Sequence, residues 1–266
     1  MINGSLDFGL KDKVAIVAGG GAVGQEIGNG RAASILLADA GVKVIVADKE
    51  EILAKNTVKM IQDRGGEAIS IGGDLTKSDQ CKKVVDFAIS RWGRLDILDN
   101  NIGVASKLSV VDETEENWNQ VMDINLKPMF LMSKYAIPEM IKSGNGGSIV
   151  NISSISATRP KGLTTYSASK GAVISLSQAM AVDHGANGIR VNCILPGPVY
   201  TPMVYSTGMT KQHRFQRQDA SLIQIEGDGW DIGKAVVYLS SNWARYITGH
   251  LMVVDGGCSL SAKPRG

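Results

Sequence analysis

The chain has 266 residues, of which 44% are hydrophobic and 20% charged, a balance that predicts an ordinary globular protein without disordered or membrane-spanning segments. A net charge of +2 with no block of Lys and Arg gives no reason to expect a nucleic-acid partner. The three cysteines form no CxxC pair, the three histidines lie far apart, and the polar N-terminus lacks a signal-peptide pattern, so we expect reduced thiols, no metal site and a cytoplasmic location.

Short apolar, β-branched runs alternate with longer helical patterns along the whole chain, which is typical of strand–helix–strand units on a parallel sheet. Seven strands are predicted, at residues 14–18, 42–47, 68–71, 95–98, 148–152, 189–194 and 251–254. Six helices are predicted between them, at residues 31–40, 50–63, 77–91, 115–142, 165–184 and 229–240. Residues 1–266 are therefore predicted to form one doubly wound α/β domain of the Rossmann type, with a seven-stranded parallel sheet and ligands at the carboxyl ends of its strands.

A glycine-rich segment, residues 18–30, follows the first predicted strand. Glycines permit a tight turn and let the backbone approach a pyrophosphate closely at the start of a helix. The helical pattern that follows has ordinary length if it begins near Gly28, which leaves residues 20–27 as an unusually long loop. From this segment we expect a dinucleotide to contact Gly19, Gly28, Asn29 and Gly30.

Asp48 ends the second β-branched run, about 20 residues after Gly28, the offset expected for a carboxylate that holds an adenosine ribose. Such a carboxylate accepts hydrogen bonds from both ribose hydroxyls of NAD and repels the 2′-phosphate of NADP. NAD is therefore the predicted cofactor. Lys49 and Arg31 could offset part of that repulsion, which leaves NADP as an alternative.

Tyr166 and Lys170 lie four residues apart in a predicted helix, so their side chains share one face. A tyrosine has an ordinary pKa near 10, and it becomes a base near neutral pH only when about 4 kcal/mol of additional stabilisation favours its phenolate. A neighbouring ammonium is one source of that stabilisation. On its own, such a pair is better explained as two residues on one face of a helix without a catalytic role.

Further motifs accompany the pair in a defined order. They are the glycine-rich turn at Gly19, Gly28 and Gly30, Asn100-Asn-Ile-Gly103, Asn125, Ser153-Ser154, Tyr166 with Lys170, and Pro196-Gly197. In these motifs, and in Asp74-Leu75 and residues 247–257, the chain resembles the short-chain dehydrogenase/reductase family over nearly its whole length.

The resemblance implies an oxidoreductase that transfers a hydride between NAD(H) and a secondary alcohol or ketone. Tyr166 would exchange a proton with the substrate oxygen, and Lys170 would lower the pKa of Tyr166 and hold the nicotinamide ribose. A serine would hydrogen-bond the substrate oxygen, and Asn125 would hold a water of the proton relay. The remaining cofactor contacts that the resemblance implies are Asp74, Leu75, Asn101, Gly103, Pro196, Gly197, Val199 and Thr201.

Two serines compete for the catalytic position. The usual spacing of 13 residues before the tyrosine selects Ser153, whereas the Ser-x-x-small pattern selects Ser154 with one loop residue deleted. We favour Ser154, because a loop deletion is easier to accommodate than a shift of strand register, which would reverse the facing of every side chain. The other serine would then be a turn residue.

Residues 203–226 lie where the family has a substrate lid, and their apolar side chains favour a moderately apolar, aromatic or alicyclic substrate. By analogy with the family, we expect a homotetramer built partly through the helices at 115–142 and 165–184. An NADP-dependent carbonyl reductase and a non-catalytic NAD-binding regulatory protein remain as alternatives, although every expected catalytic side chain is present. Asp99 departs from the family, in which an apolar residue is common, and it needs a partner if it is buried.

Overall fold

The computed structural model describes residues 7–206 and 208–262. Its strands are β1 Val14–Ala18, β2 Lys43–Asp48, β3 Ala68–Gly72, β4 Ile97–Asn100, β5 Gly147–Ile152, β6 Ile189–Pro196, β7 Val199–Tyr200, β8 Gly227–Asp228 and β9 Leu251–Val254. Its α-helices are α1 Asn29–Asp39, α2 Glu51–Asp63, α3 Ser78–Trp92, α4 Glu115–Asn125, α5 Lys127–Lys142, α6 Thr164–His184, α7 Pro202–Tyr205, α8 Lys211–Ala220 and α9 Gly229–Ser240.

Seven strands form one parallel sheet in the order β3-β2-β1-β4-β5-β6-β9, which confirms the predicted Rossmann-type sheet. The chain leaves β1 toward one edge and then crosses to β4 on the other side of β1. Connections that diverge in this way open a crevice at the carboxyl ends of the strands. The two-residue strands β7 and β8 pair with each other outside the main sheet.

The sheet is buried on both faces because its apolar strands present side chains alternately to two cores. In β1, Ala15 and Val17 pack with α1, α2 and α9, whereas Val14 and Ile16 pack with α3 and α5. All five residues of β1 are buried. The continuous apolar runs in the sequence are thus explained by helices on both sides.

Two of the differences between the predicted and the observed elements concern segments that lead to the site. The single helix predicted at 115–142 is two helices that meet at Leu126, because Pro128 at the start of α5 lacks the N–H that would continue the ladder from α4. The strand predicted at 95–98 lies two residues later in β4, so that Asp99 and Asn100 are strand residues paired with β1. Polar side chains do not prevent strand pairing, since the ladder uses backbone groups alone.

The segment predicted as a lid, residues 203–226, contains α8 and most of α7, which the sequence analysis did not predict. The hydroxyl of Thr210 accepts a hydrogen bond from the His213 N–H at 3.1 Å and so caps the start of α8. Among the described helices, none is both long and apolar enough to cross a membrane.

Candidate active site

A cleft of about 1170 Å³ lies at the carboxyl ends of the central strands. Of the catalytic and cofactor-binding residues predicted from the sequence, all but Asn125 line this cleft. Those that do are Gly19, Gly28, Asn29, Gly30, Asp48, Asp74, Leu75, Asn101, Gly103, Ser154, Tyr166, Lys170, Pro196, Gly197, Val199 and Thr201. The fold therefore brings segments from both halves of the chain to one site.

The glycine loop is packed too tightly against α1 for side chains. A Cβ on Gly30 would lie 2.2 Å from the carbonyl oxygen of Gly19, which itself has a left-handed φ of 84°. Gly28 caps α1 and has no side chain to satisfy the first N–H groups of the helix. These N–H groups and the positive end of the helix dipole suit an anion such as a pyrophosphate.

Two buried oxygens at the same end of the cleft lack donors. The side-chain oxygens of Asn29 and Asn101 find no hydrogen-bond partner among the described residues, although both residues line the cleft. Buried acceptors without donors are costly, so a ligand with hydroxyl or amide donors would satisfy them. Together with the glycine cradle, this chemistry fits a nicotinamide dinucleotide.

The acidic residues expected around the adenosine are held in fixed orientations. Asp48 accepts hydrogen bonds from Gly21 N at 3.0 Å and from Glu50 N at 3.2 Å. Asp74 accepts from the hydroxyl of Thr76 at 2.8 Å, and this bond holds the pKa of Asp74 below its ordinary value. Both carboxylates therefore present defined acceptor edges to the cleft.

Arg31 does not lie where it could contact the 2′-phosphate of a bound NADP. Its side chain is 0% exposed and does not line the cleft, so it is not available to a 2′-phosphate. Burial lowers its pKa, while Glu26 and Asp48 oppose that change. Arg31 therefore offers no direct contact to a 2′-phosphate, although its charge still interacts with that of Asp48. Lys49 does line the cleft.

Tyr166, Lys170 and Ser154 meet on the other side of the cleft. Tyr166 and Lys170 lie on α6, and the Lys170 Nζ is 5.9 Å from the centre of the Tyr166 ring. Lys170 Nζ donates a hydrogen bond to the carbonyl oxygen of Ile152 at 2.9 Å, at the end of β5. The side chain of Ser154 hydrogen-bonds to that of Tyr166. Each member of the expected pair therefore has a partner outside α6, Ser154 for Tyr166 and Ile152 for Lys170.

Burial sets the protonation of this group. It raises the pKa of Tyr166, because the phenolate loses its hydration, and the hydrogen bond from Ser154 opposes the rise. Burial also lowers the pKa of Lys170 to about 8. Desolvation is thus the largest effect on the pKa of Tyr166, and Ser154 is the group that opposes it.

The two competing serines have different environments. Ser154 opens a short 3-10 turn, where its hydroxyl accepts from Ser156 N at 3.1 Å. Ser153 is buried and donates to the carbonyl oxygen of Lys170 at 2.7 Å, so it anchors α6 instead of forming a turn. Both serines line the cleft, and Ser154 is the one whose side chain hydrogen-bonds to Tyr166.

Asn125 is fully buried behind the cleft. Its amide nitrogen donates to the Val104 carbonyl oxygen at 3.0 Å and to the Ser169 hydroxyl at 2.9 Å, and its oxygen accepts from Val104 N at 2.7 Å. Both amide N–H groups thus have protein partners, so a relay water would not be held by them. The side chain fixes the position of the loop that follows β4.

The segment predicted as a lid supplies part of the lining. Met203, Val204 and Met209 line the cleft, whereas Phe215 is 66% exposed and lies outside it. Residues that the sequence analysis did not single out, among them Val104, Ile155 and Leu163, add apolar side chains to the lining. In the sequence, only their nearness to motif residues pointed to them. Such nearness does not show on which side of a loop a side chain lies.

The two arginines of this predicted lid segment already have protein partners. Arg217 Nε lies 2.6 Å and Arg214 Nε 3.1 Å from the carboxylate of Glu226, and Arg214 also stacks on Tyr200 at 4.1 Å. Within the part of the chain that the structure describes, no three His, Cys, Asp or Glu side chains are grouped as metal ligands would be.

The chain is similar to proteins that act on small organic molecules. A family profile described as Enoyl-(Acyl carrier protein) reductase matches residues 21–259. 2,5-Dichloro-2,5-cyclohexadiene-1,4-diol dehydrogenase LinX of Sphingobium indicum is 36% identical, over 94% of this chain and 98% of that protein. Cyclohexanol dehydrogenase of an Acinetobacter species is 32% identical, over 93% and 95%.

A solved structure has the same architecture. It is 7α-hydroxysteroid dehydrogenase complexed with NADH and 7-oxo glycochenodeoxycholic acid, which matches with a TM-score of 0.88 and 32% identity over 98% of each chain. The fold and the cleft define a nicotinamide-dependent oxidoreductase. The protein belongs to the short-chain dehydrogenase/reductase family.

Proposed function

We propose that this protein transfers a hydride between NAD(H) and a secondary alcohol or ketone of moderately apolar, alicyclic or aromatic structure. The observation that carries the proposal is the hydrogen-bonded pair of Ser154 and Tyr166 beside Lys170, at a cleft with an apolar wall. The names of the relatives that act on a cyclohexadiene diol and on cyclohexanol support the alicyclic class.

The side chains divide the proton chemistry among them. In oxidation, the phenolate of Tyr166 removes the hydroxyl proton of the alcohol, and in reduction the phenol returns it to the carbonyl oxygen. Ser154 holds the substrate oxygen next to Tyr166. Lys170, fixed by Ile152, keeps a positive charge near the phenolate and holds the nicotinamide ribose. When bound, the nicotinamide accepts or supplies the hydride.

The choice of NAD rests on Asp48. Its two oxygens are fixed by Gly21 N and Glu50 N, and its charge faces the end of the cleft where an adenosine ribose would lie. A 2′-phosphate there meets a carboxylate and finds no direct partner in Arg31, which is buried outside the cleft. Lys49 is the cation of that region that lines the cleft. NAD is therefore the cofactor that the charges favour.

We extend the proposal to assembly and location. The helices expected at a tetramer interface expose apolar side chains, with Trp118 at 39%, Phe130 at 47% and Val182 at 84%. We propose a cytoplasmic homotetramer, in which the cysteines stay reduced. A light-scattering mass near the 28.2 kDa of one chain would reject the tetramer.

A substrate panel tests the proposal. Cyclic, aromatic and short linear secondary alcohols are offered with NAD and with NADP, and NADH or NADPH formation is followed by absorbance. A crotonyl thioester with NADH forms a further arm, because the matched family profile is described by the reduction of a carbon–carbon double bond. We expect the cyclic alcohols with NAD to react fastest.

Asp48→Asn provides the matched control for the cofactor. It keeps the size of the side chain and removes its charge, so the preference for NAD over NADP is expected to fall about tenfold or more, the effect of about 1.4 kcal/mol. A wild-type preference for NADP would contradict the role of Asp48, and turnover of the thioester alone would contradict the alcohol class.

A further inference from the structure

The long glycine loop, residues 20–27, has little packing of its own. Val23 is 64% exposed, and the loop contains no helix or strand. Its wall nevertheless forms part of the cleft, through Gly21, Ala22 and Val23. Ala22 is the one buried apolar side chain of the loop, so most of the loop is held by polar contacts.

Those contacts converge on Arg31 in the first turn of α1. Its terminal nitrogens donate to the carbonyl oxygens of Gly24 at 2.8 Å, of Glu26 at 2.6 Å and of Ala22. Its Nε donates to the hydroxyl of Thr57 at 2.9 Å. A guanidinium has five N–H donors in a fixed planar arrangement, and four loop and helix acceptors use them here.

Thr57 connects the same network to the start of the loop. Its hydroxyl, while accepting from Arg31, donates to the carbonyl oxygen of Gly20 at 2.8 Å. Thr57 is fully buried on α2. Arg31 and Thr57 therefore hold the carbonyl groups of four loop residues from beneath, on the side away from the cleft.

The loop so held lies directly against Asp48. Gly21 N donates to Asp48 Oδ2, and a Cβ on Gly21 would come within 2.7 Å of that oxygen. Any outward movement of residues 20–24 would change both the orientation of the carboxylate and the space around it. The width of the adenosine-ribose site thus depends on how firmly the loop is held.

We infer that Arg31 is a positioning residue for the cofactor: it holds the extended glycine loop against Asp48 and thereby sets both the affinity for NAD and the exclusion of NADP. This inference rests on the proposed NAD-dependent function. It assigns to Arg31 no contact with cofactor or substrate. A direct phosphate contact is opposed by its complete burial and its four protein acceptors.

Arg31→Lys tests the inference while keeping the charge. A lysine has three donors on one nitrogen and cannot reach carbonyl groups spread along the loop. We expect the Kd for NADH, from fluorescence titration, and the KM for NAD to rise about tenfold, with kcat at saturating NAD within about twofold of wild type. The ratio of kcat/KM for NAD to that for NADP is expected to fall.

Two further variants separate positioning from general destabilisation. Gly21→Ala leaves Arg31 intact but pushes the loop from Asp48, so it is expected to weaken NAD binding in the same way. Arg64→Lys changes an exposed arginine paired with Asp39 at 2.5 Å and is expected to leave the cofactor constants unchanged.

Hydrogen–deuterium exchange gives a readout that needs no substrate. Faster exchange is expected in peptides covering residues 20–27 of Arg31→Lys, with unchanged exchange in the sheet. If no alcohol is oxidised by wild type, the proposed function fails, but NADH titration and exchange still decide the role of Arg31. Unchanged exchange of the loop, or unchanged Kd for NADH in Arg31→Lys, would overturn the inference.

Discussion

Replacing Asp99 by asparagine is expected to remove a large pH dependence from the stability of the folded protein. Asp99 lies in the centre of β4, paired with Val17 of β1 and Val150 of β5, and is 0% exposed. One carboxyl oxygen accepts a hydrogen bond from the Asn101 amide, and the other finds no partner among the described residues. Burial therefore raises the pKa of Asp99 from its ordinary 3.8 to about 8.

The sign follows from proton binding. Between about pH 4 and pH 8 the unfolded chain has lost the Asp99 proton while the folded chain keeps it, so the free energy of unfolding falls as the pH rises. Each pH unit in this interval lowers it by about 1.4 kcal/mol, and the whole interval by on the order of 5 kcal/mol. The contribution of Asp99 is thus most favourable in acid and is lost progressively toward pH 8.

Urea denaturation at pH 5, 6, 7 and 8, at one protein concentration, measures the effect. Asp99→Asn has nearly the same shape and no charge, so its free energy of unfolding relative to wild type is expected to increase by about 1.4 kcal/mol per pH unit. Asp86→Asn, at an exposed helix position paired with Lys82, is the control. Its free energy of unfolding relative to wild type should hardly change between pH 5 and pH 8. Parallel pH curves for wild type and Asp99→Asn would refute the reasoning.

The catalytic group and the cradle give further predictions. Tyr166→Phe is expected to lower kcat at least about 100-fold, the lower range for a general acid or base, with the Kd for NADH unchanged; a smaller loss would contradict its role. Ser154→Ala removes the bond that lowers the pKa of Tyr166, so the rise of kcat/KM for oxidation with pH should move to higher pH, whereas Ser153→Ala should lower the melting temperature instead. Gly30→Ala should abolish NADH binding, because its Cβ would clash with the carbonyl group of Gly19. Gly171→Ala, which has open space at its Cβ, should leave NADH binding intact. Equal binding of NADH by the two variants would count against the glycine loop as the binding site for the pyrophosphate.

Local pattern was sufficient for much of the fold. The strands β1 and β9 and the helix α9 have the predicted bounds, because each is an apolar run or amphipathic stretch bounded by turn residues. The break between α4 and α5 was missed, although Pro128 marked it in the sequence. Helix α8, in the segment predicted as a lid, was also missed. It is almost entirely polar, with Ala220 as its one buried residue, so its sequence shows little apolar periodicity.

The sequence by itself determined which chemical groups the site would contain and at which ends of which strands they would lie, since motif order and spacing are properties of the chain. Only the tertiary structure decided which groups face the cleft. Arg31 turned beneath the loop and Asn125 turned behind the cleft, because buried donors must find acceptors wherever the packing supplies them. Spacing along a chain does not specify those partners, which come from the glycine loop and α2 for Arg31 and from α6 and the loop after β4 for Asn125.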